Sequence, residues 1–268
     1  MALRVATWNI NSVRLRLPLV ERFVEQEKPD VLCLQEIKCR EAEFPSSALK
    51  KLGYQHIAIN AQKGYHGVAI LSRLPLSNIE KREFCNKGDA RHVSAQVNAG
   101  AHGPFVVHNL YVPAGGDIPD VTLNEKFLHK LNFLDELNEH SRTWSTGDIP
   151  AIMTGDLNVA PYESDVWSHK ALLKVVSHTP EETTRLKQIL DHGKWRDAVR
   201  AITPEPEKLY TWWSYRSPNW LEANKGRRLD HIWLCQKLAP HISAMKVLKD
   251  ARSWERPSDH APVLIDIA

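Results

Sequence analysis

Apolar residues along the chain fall into short blocks that stop at polar residues. Residues 3–8 predict a buried strand that ends in Asn9-Ile10-Asn11. Leu19, Val20, Phe23 and Val24 then recur at helical spacing until Pro29-Asp30 breaks the run. Val31-Leu32-Cys33-Leu34 reads as a second buried strand, capped by Gln35-Glu36-Ile37-Lys38. A short helix over 48–52 closes at Gly53, and segments 54–59 and 67–71 read as a strand pair. A further pair spans 92–97 and 105–112. Leu123, Phe127, Leu128, Leu131, Leu134 and Leu137 then mark the longest amphipathic helix. Ala151-Ile152-Met153 is a buried strand broken by Gly155, with Asp156 and Asn158 directly after it. Helices are predicted over 164–173 and 181–192, the second stopped by Gly193. An aromatic loop over 208–224 precedes closing strands at 228–234, 242–248 and 261–267.

Mixed strands with intervening helices predict an α/β fold, most simply two facing sheets with helices outside. The rhythm restarts around the long helix, which suggests two similar halves. A chain of 268 residues without a Gly- or Ser-rich linker is read as one domain over 1–268. Apolar residues make up 43%, enough for a sizeable core. Lys and Arg total 35 against 32 Asp and Glu, so a net charge of +3 does not by itself point to nucleic acid; clustering must carry that argument. Cys33, Cys39, Cys85 and Cys235 have no zinc-ligand spacing and are expected to be buried reduced thiols. No signal-peptide core and no membrane-length apolar run is present, so a soluble, intracellular protein without membrane contact is expected.

Chemistry gathers at the ends of these elements. Asn9, Glu36, Tyr111, Asp156 with Asn158, and Asp230 stand at predicted strand ends or in loops, and Ser258-Asp259-His260-Ala261-Pro262 leads into the last strand. A carboxylate such as Glu36 behind four apolar residues needs a cation or donors, because an unpaired buried charge is costly. Oxygen ligands of this kind suit Mg²⁺ or Mn²⁺. A hard cation beside an Asp and a His fits hydrolysis of a phosphate ester, with a carboxylate aligning or deprotonating water.

Trp8-Asn9-Ile10-Asn11, Leu34-Gln35-Glu36-Ile37-Lys38, Gly155-Asp156-Leu157-Asn158, Arg228-Leu229-Asp230 and Ser258-Asp259-His260-Ala261-Pro262 occur in order. Together they resemble the exonuclease III family of abasic-site endonucleases, within the endonuclease/exonuclease/phosphatase superfamily, over essentially the whole chain. The resemblance implies a four-layer α/β sandwich, two facing mixed β-sheets flanked by helices, with the site at one edge. It implies a Mg²⁺-dependent nuclease, accepting Mn²⁺, that cuts double-stranded DNA 5′ to abasic sites and trims 3′ ends. By this resemblance Glu36 is the main metal ligand, with Asn9 and Asp259 beside it. Asp156 orients or activates water with Asn158, Asp230 holds His260, and His260 and Tyr111 contact the scissile phosphate. Asn11, Lys38, Trp212, Leu229 and Arg216 bind substrate, Trp212 and Leu229 as walls for a flipped abasic sugar, whose extrusion loses little stacking. A monomer acting in the bacterial cytoplasm, with the nucleoid, is implied too.

Tyr111 within Asn109-Leu110-Tyr111 and the aromatic loop argue against a phosphatase or phospholipase of the superfamily. The complete Glu36, Asp156, Asp230 and His260 set argues against a non-catalytic DNA-binding module. Lys63, Arg91, Arg216, Lys225, Arg227 and Arg228 are placed to line a phosphate track. Tyr210 and Thr211 belong to the pocket segment, and Trp213 and Trp220 are assigned to core packing. Relatives usually carry Asn or Gln at Ala114, so the missing phosphate donor is expected from Asn109, Asn158 or, preferably, the backbone of Gly115-Gly116. Ile37 stands where relatives commonly have Thr.

Overall fold

The computed structural model describes residues 2–268. In chain order the elements are β1 (Leu3–Asn9), α1 (Leu17–Glu27), β2 (Val31–Gln35), α2 (Ser46–Lys51), β3 (His56–Asn60), β4 (Val68–Ser72), β5 (Leu76–Glu80), β6 (His92–Asn98), β7 (Pro104–Tyr111) and α3 (Glu125–Thr146). They continue with β8 (Ala151–Asp156), α4 (His169–Leu172), α5 (Pro180–His192), β9 (Arg196–Asp197), α6 (Ala198–Ile202), α7 (Trp220–Ala223), β10 (Asp230–Leu234), β11 (Ile242–Val247) and β12 (Val263–Ile267). The strands form two six-stranded mixed sheets, ordered β11-β12-β1-β2-β4-β3 and β5-β6-β7-β8-β10-β9. Each has one parallel pair at its centre, β1 with β2 and β7 with β8, so the two halves repeat one plan.

Side-chain alternation explains why the strands read as continuous apolar runs: both sheet faces are covered. Val5, Cys33, Val107, Ile152 and Ile232 point inward and form the core between the sheets. Ala6, Trp8, Leu32 and Leu34 point outward onto Phe23 and Val24 of α1. Ala151 and Met153 point outward onto Phe133, Leu134 and Leu137 of α3 and Leu186 and Ile189 of α5. Four layers result. The same parity puts Asn9, Gln35, Asn109, Tyr111, Asp156 and Asp230 on the inner faces, at one end of the sandwich. Gln35 and Asn109 tie the sheets there: Gln35 Nε2 donates to Asn109 Oδ1 at 2.7 Å, and Asn109 Nδ2 donates to the carbonyls of Leu34 and Ala69.

The expected helix over 164–173 shrinks to α4. Asp165 ahead of it is fully buried and held by Arg228 and Arg200, so its side chain serves a tertiary ion pair. Two strands, β5 and β9, carry no apolar run long enough to announce them; β5 is broken by a register shift between Ser77 and Glu80, and β9 is two residues. The long helix runs past Leu137 to Thr146, where Trp144 stacks on His108 and His92. Cys33, Cys39 and Cys235 are buried free thiols, whereas Cys85 is half-buried. No described helix is long and apolar enough to cross a membrane.

Arg228 corrects an expectation. It is fully buried and lines no phosphate track: Nε and Nη2 take the two oxygens of Asp165 at 2.7 and 2.9 Å, and Nη1 takes Asp197 at 2.8 Å. Nor does it pair with Asp230. Arg228→Met should leave buried carboxylates short of their cation and destabilise the fold by about 3–5 kcal/mol. Urea unfolding checks this, and a change under about 1 kcal/mol would mean that the pair is dispensable.

Candidate active site

Strand register assembles the site. Asp156, the last residue of β8, pairs with Tyr111 on β7 and with Asp230 on β10, so three polar side chains stand abreast on one inner face. Gly155 makes this possible. Its φ is +135°, and a Cβ there would lie 2.0 Å from the Leu110 carbonyl oxygen, so no larger residue fits before the carboxylate. From the facing sheet, Asn9 at the end of β1 reaches across: its Nδ2 donates to Asp156 Oδ2 and to Glu36 Oε1, both at 2.9 Å. Asn11, Glu36, Lys38 and Asn158 all have left-handed backbones, with φ of 48°, 50°, 52° and 54°. Such conformations cost about 1–3 kcal/mol each and gather where a structure holds functional groups in place.

Asp156 accepts Asn158 N at 2.9 Å and Asn158 Nδ2 at 3.1 Å besides Asn9. Burial drives its pKa up, the His260 cation opposes this, and Asp230 adds to it, so that it is pushed up to about 7. Asp230 Oδ2 accepts Thr211 Oγ1 at 2.6 Å and faces His260 Nδ1 at 2.8 Å. Burial disfavours the His260 imidazolium, but Asp230 and Asp156 outweigh it and push its pKa up to about 10. At neutral pH His260 is therefore a cation with Nε2 3.7 Å from Asp156 Oδ2. Asp156, Asp230 and His260 offer ligand atoms within 4.8 Å of one another, a grouping able in principle to hold a metal. A further carboxylate stands at this end of the groove.

That carboxylate is Glu36. Burial raises its pKa, yet Lys38, Asn9 and Tyr111 together hold it below the usual range, so it is anionic. Tyr111 donates its hydroxyl to Glu36 Oε1 at 2.8 Å, and Lys38 Nζ sits 2.7 Å from Oε2. Lys38 Nζ also donates to Asn11 Oδ1 at 2.6 Å, Asn11 Nδ2 to Asp259 Oδ1 at 3.2 Å, and Trp212 Nε1 to Asp259 Oδ2 at 2.9 Å. Asp259, expected beside Glu36, lines the same groove and shares Asn11 with the Lys38 that meets Glu36. Asn11 and Lys38, expected on substrate, are engaged within the protein. Anionic oxygens at Glu36 and Asp259, lining one groove, fit a hard divalent cation.

The groove measures about 740 Å³. Glu36, Asp156, Asp259 and His260 form its acidic end, while Trp212, Leu229 and Trp167 wall the rest. Arg227 lies over the Trp212 ring at 5.2 Å and Lys225 over the Trp167 ring at 4.9 Å; exposed Arg216 joins them at the rim. Trp167 was hidden by the expected helix around it, and Thr211 had no signal beyond its aromatic neighbours. Trp213 is buried, with Trp220 packed on it, as expected. Arg91 lies behind the site, bonded to Asp89 and to the Tyr111 carbonyl, so it does not face the groove as a phosphate ligand; Lys63 is an exposed loop residue.

Residues 6–260 match the model of the endonuclease/exonuclease/phosphatase family. Exodeoxyribonuclease III of Haemophilus influenzae is 32% identical over 269 residues, covering 97% of this chain and 98% of the relative. The chain belongs to the endonuclease/exonuclease/phosphatase family. An AP endonuclease from Archaeoglobus fulgidus superposes with a TM-score of 0.89 at 33% identity, covering 99% of both chains. NExo, a 3′ phosphatase from Neisseria bound to a product DNA hairpin, does so with 0.91 at 30% identity, covering both chains fully.

Within this family member, the donor missing at Ala114 does not come from the two side chains considered. Asn109 is spent between the sheets, and Asn158 Nδ2 is taken by Asp156 and the Val112 carbonyl. Gly116 lines the groove beside Ala114, with φ of +71°.

The raised pKa of His260 has a measurable consequence. The folded state binds this proton more tightly than the unfolded chain, from the ordinary 6.5 up to about 10. Its stabilising contribution is full below pH 6.5 and is lost as pH rises towards 10. Asp230→Asn should flatten that part of the stability profile, read as urea midpoints across the interval. Parallel profiles for the two proteins would contradict the assignment.

Proposed function

We propose that this DNA repair nuclease uses the groove to cut the phosphodiester 5′ to an abasic residue in double-stranded DNA, and that it also trims 3′ ends. The observation that carries the reading is one continuous groove. It joins a carboxylate and an imidazolium at Asp156 and His260 to the side chains of Trp212 and Leu229, which we assign as the walls for a flipped sugar. A residue without a base enters between such walls at little cost in lost stacking.

Asp156 orients a water and draws off its proton as the water's oxygen attacks phosphorus. Its Asn158 and Asn9 bonds aim it. The bond from phosphorus to the 3′ oxygen breaks, and the departing oxygen takes a proton from solvent water, leaving a 3′-hydroxyl and a 5′-deoxyribose phosphate while the proton on Asp156 returns to solvent. His260, kept cationic by Asp230, and the neutral Tyr111 hydroxyl donate to the phosphate oxygens as charge builds. Glu36, with Asp259 and Asn9, would hold Mg²⁺ or Mn²⁺, which when bound neutralises the phosphate and the departing oxygen. Arg216, Lys225 and Arg227 receive flanking phosphates, so binding weakens with salt. Asn11 and Lys38 reach substrate only by exchanging internal partners. All these residues belong to one chain, so a monomer suffices, acting on this reading in the cytoplasm with the nucleoid.

Nicking of a duplex carrying one abasic residue should stop in EDTA and return with Mg²⁺ or Mn²⁺. Asp156→Asn should cut turnover by ~10²–10⁴-fold while DNA affinity stays nearly constant. Cleavage that survives chelation, or an Asp156→Asn enzyme of normal rate, would refute the mechanism.

A further inference from the structure

Lys130 lies on α3, an outer helix that contributes nothing to the groove lining, yet its side chain is completely buried and ends beneath the site. Its ammonium forms an ion pair with Glu182, donates to the Asn158 carbonyl at 2.8 Å and to the Ala114 carbonyl at 3.3 Å. Three acceptors use all three N–H groups.

The two partners of Lys130 differ in kind. Glu182 has its own work in the capping box of α5, whose N-cap is Thr179: it accepts Ser177 N through both oxygens and both the N–H and hydroxyl of Thr179. The carbonyls are another matter, because they belong to the two loops that leave β7 and β8. One loop follows Tyr111, and the other carries Asp156 and Asn158. Asn158 is left-handed, and only so do its N–H and its amide both face Asp156. Its carbonyl then points away from the groove, into Lys130. Gly115 rests on the lysine stem: a Cβ there would lie 2.8 Å from Lys130 Cδ.

We propose that Lys130 is a positioning residue for the hydrolytic reaction, fixing through two backbone carbonyls the orientation of Asn158 towards Asp156 and the course of the loop at Ala114–Gly116. This rests on the reading of Asp156 as the group that aligns water. A helix-borne cation thus acts on the chemistry from behind, without touching substrate.

Lys130→Met alone leaves Glu182 charged and unpaired in the interior and is expected to unfold the protein. The informative comparison is Glu182→Gln against the double variant Lys130→Met/Glu182→Gln. Glu182→Gln removes the carboxylate but leaves the Lys130 nitrogen three oxygen acceptors, its two carbonyls and the new amide, whereas only the double variant removes the donors to the carbonyls. With an abasic duplex and Mg²⁺, Glu182→Gln should keep kcat within about threefold of the wild type, whereas the double variant should lose about 10²-fold in kcat with KM little changed. Amide exchange in the metal-free proteins supplies a second readout, with Asn158 exchanging at least about tenfold faster in the double variant than in Glu182→Gln. Equal kcat and equal exchange in the two variants would overturn the proposal and leave Lys130 a structural ion-pair partner. A loss confined to KM, or a double variant that no longer unfolds cooperatively while Glu182→Gln does, would overturn it equally. A wild-type protein inert on abasic duplexes would instead refute the functional reading, and the exchange comparison would still decide the role of Lys130.

Discussion

Glu36, Asp156 and Asp230 crowd one end of a sandwich whose core between the sheets is mostly apolar, and the need to keep three carboxylates there governs the rest of the site. An unpaired charge in such a place would cost several kcal/mol. Each is therefore met in a different way. Lys38 and the Tyr111 hydroxyl serve Glu36, amide donors from Asn9 and Asn158 serve Asp156, and His260 with Thr211 serves Asp230. The different partners leave the carboxylates chemically unequal: Glu36 stays anionic while Asp156 holds its proton more tightly than usual. A site for metal-assisted hydrolysis gains from that inequality, because one carboxylate can bind a cation while another handles the proton of water.

Geometry follows from strand parity and from the single parallel pair at the centre of each sheet. Because Asn9, Tyr111, Asp156 and Asp230 share the parity of inward core residues, the same packing that orders Val5, Val107, Ile152 and Ile232 also aims the polar groups. Asn9 then bridges the two sheets by bonding Glu36 and Asp156 at once. The site is thus rigid where the two halves meet, and the aromatic segment at Tyr210–Trp213 closes it from the side through Thr211 and Trp212.

Charge is sorted by depth rather than by amount. Arg91 and Arg228 are internal struts, whereas Arg216, Lys225 and Arg227 remain at the groove, two of them lying over aromatic rings. A modest net charge of +3 is then compatible with a nucleic-acid substrate, since the cations that matter stand together beside an otherwise acidic site.

The local pattern was enough to reveal the alternating elements, the long helix, the sandwich class and the polar residues ending successive strands, because strand period and glycine stereochemistry are short-range properties. Gly155 before Asp156 is the clearest case. What the sequence could not reveal were relations between segments far apart. Arg228 read as a phosphate ligand, but the fold brings Asp165 and Asp197 to it instead. Asp165 and Trp167, unremarkable inside an expected helix, became a buried ion-pair partner and a groove wall. Asn11 turned out to link Asp259 with Lys38 and so with Glu36, and the burial of Lys130 against Glu182 had no local signal. Tertiary packing decided these, because the free energy of a buried charge depends on which groups surround it, and those groups come from distant parts of the chain.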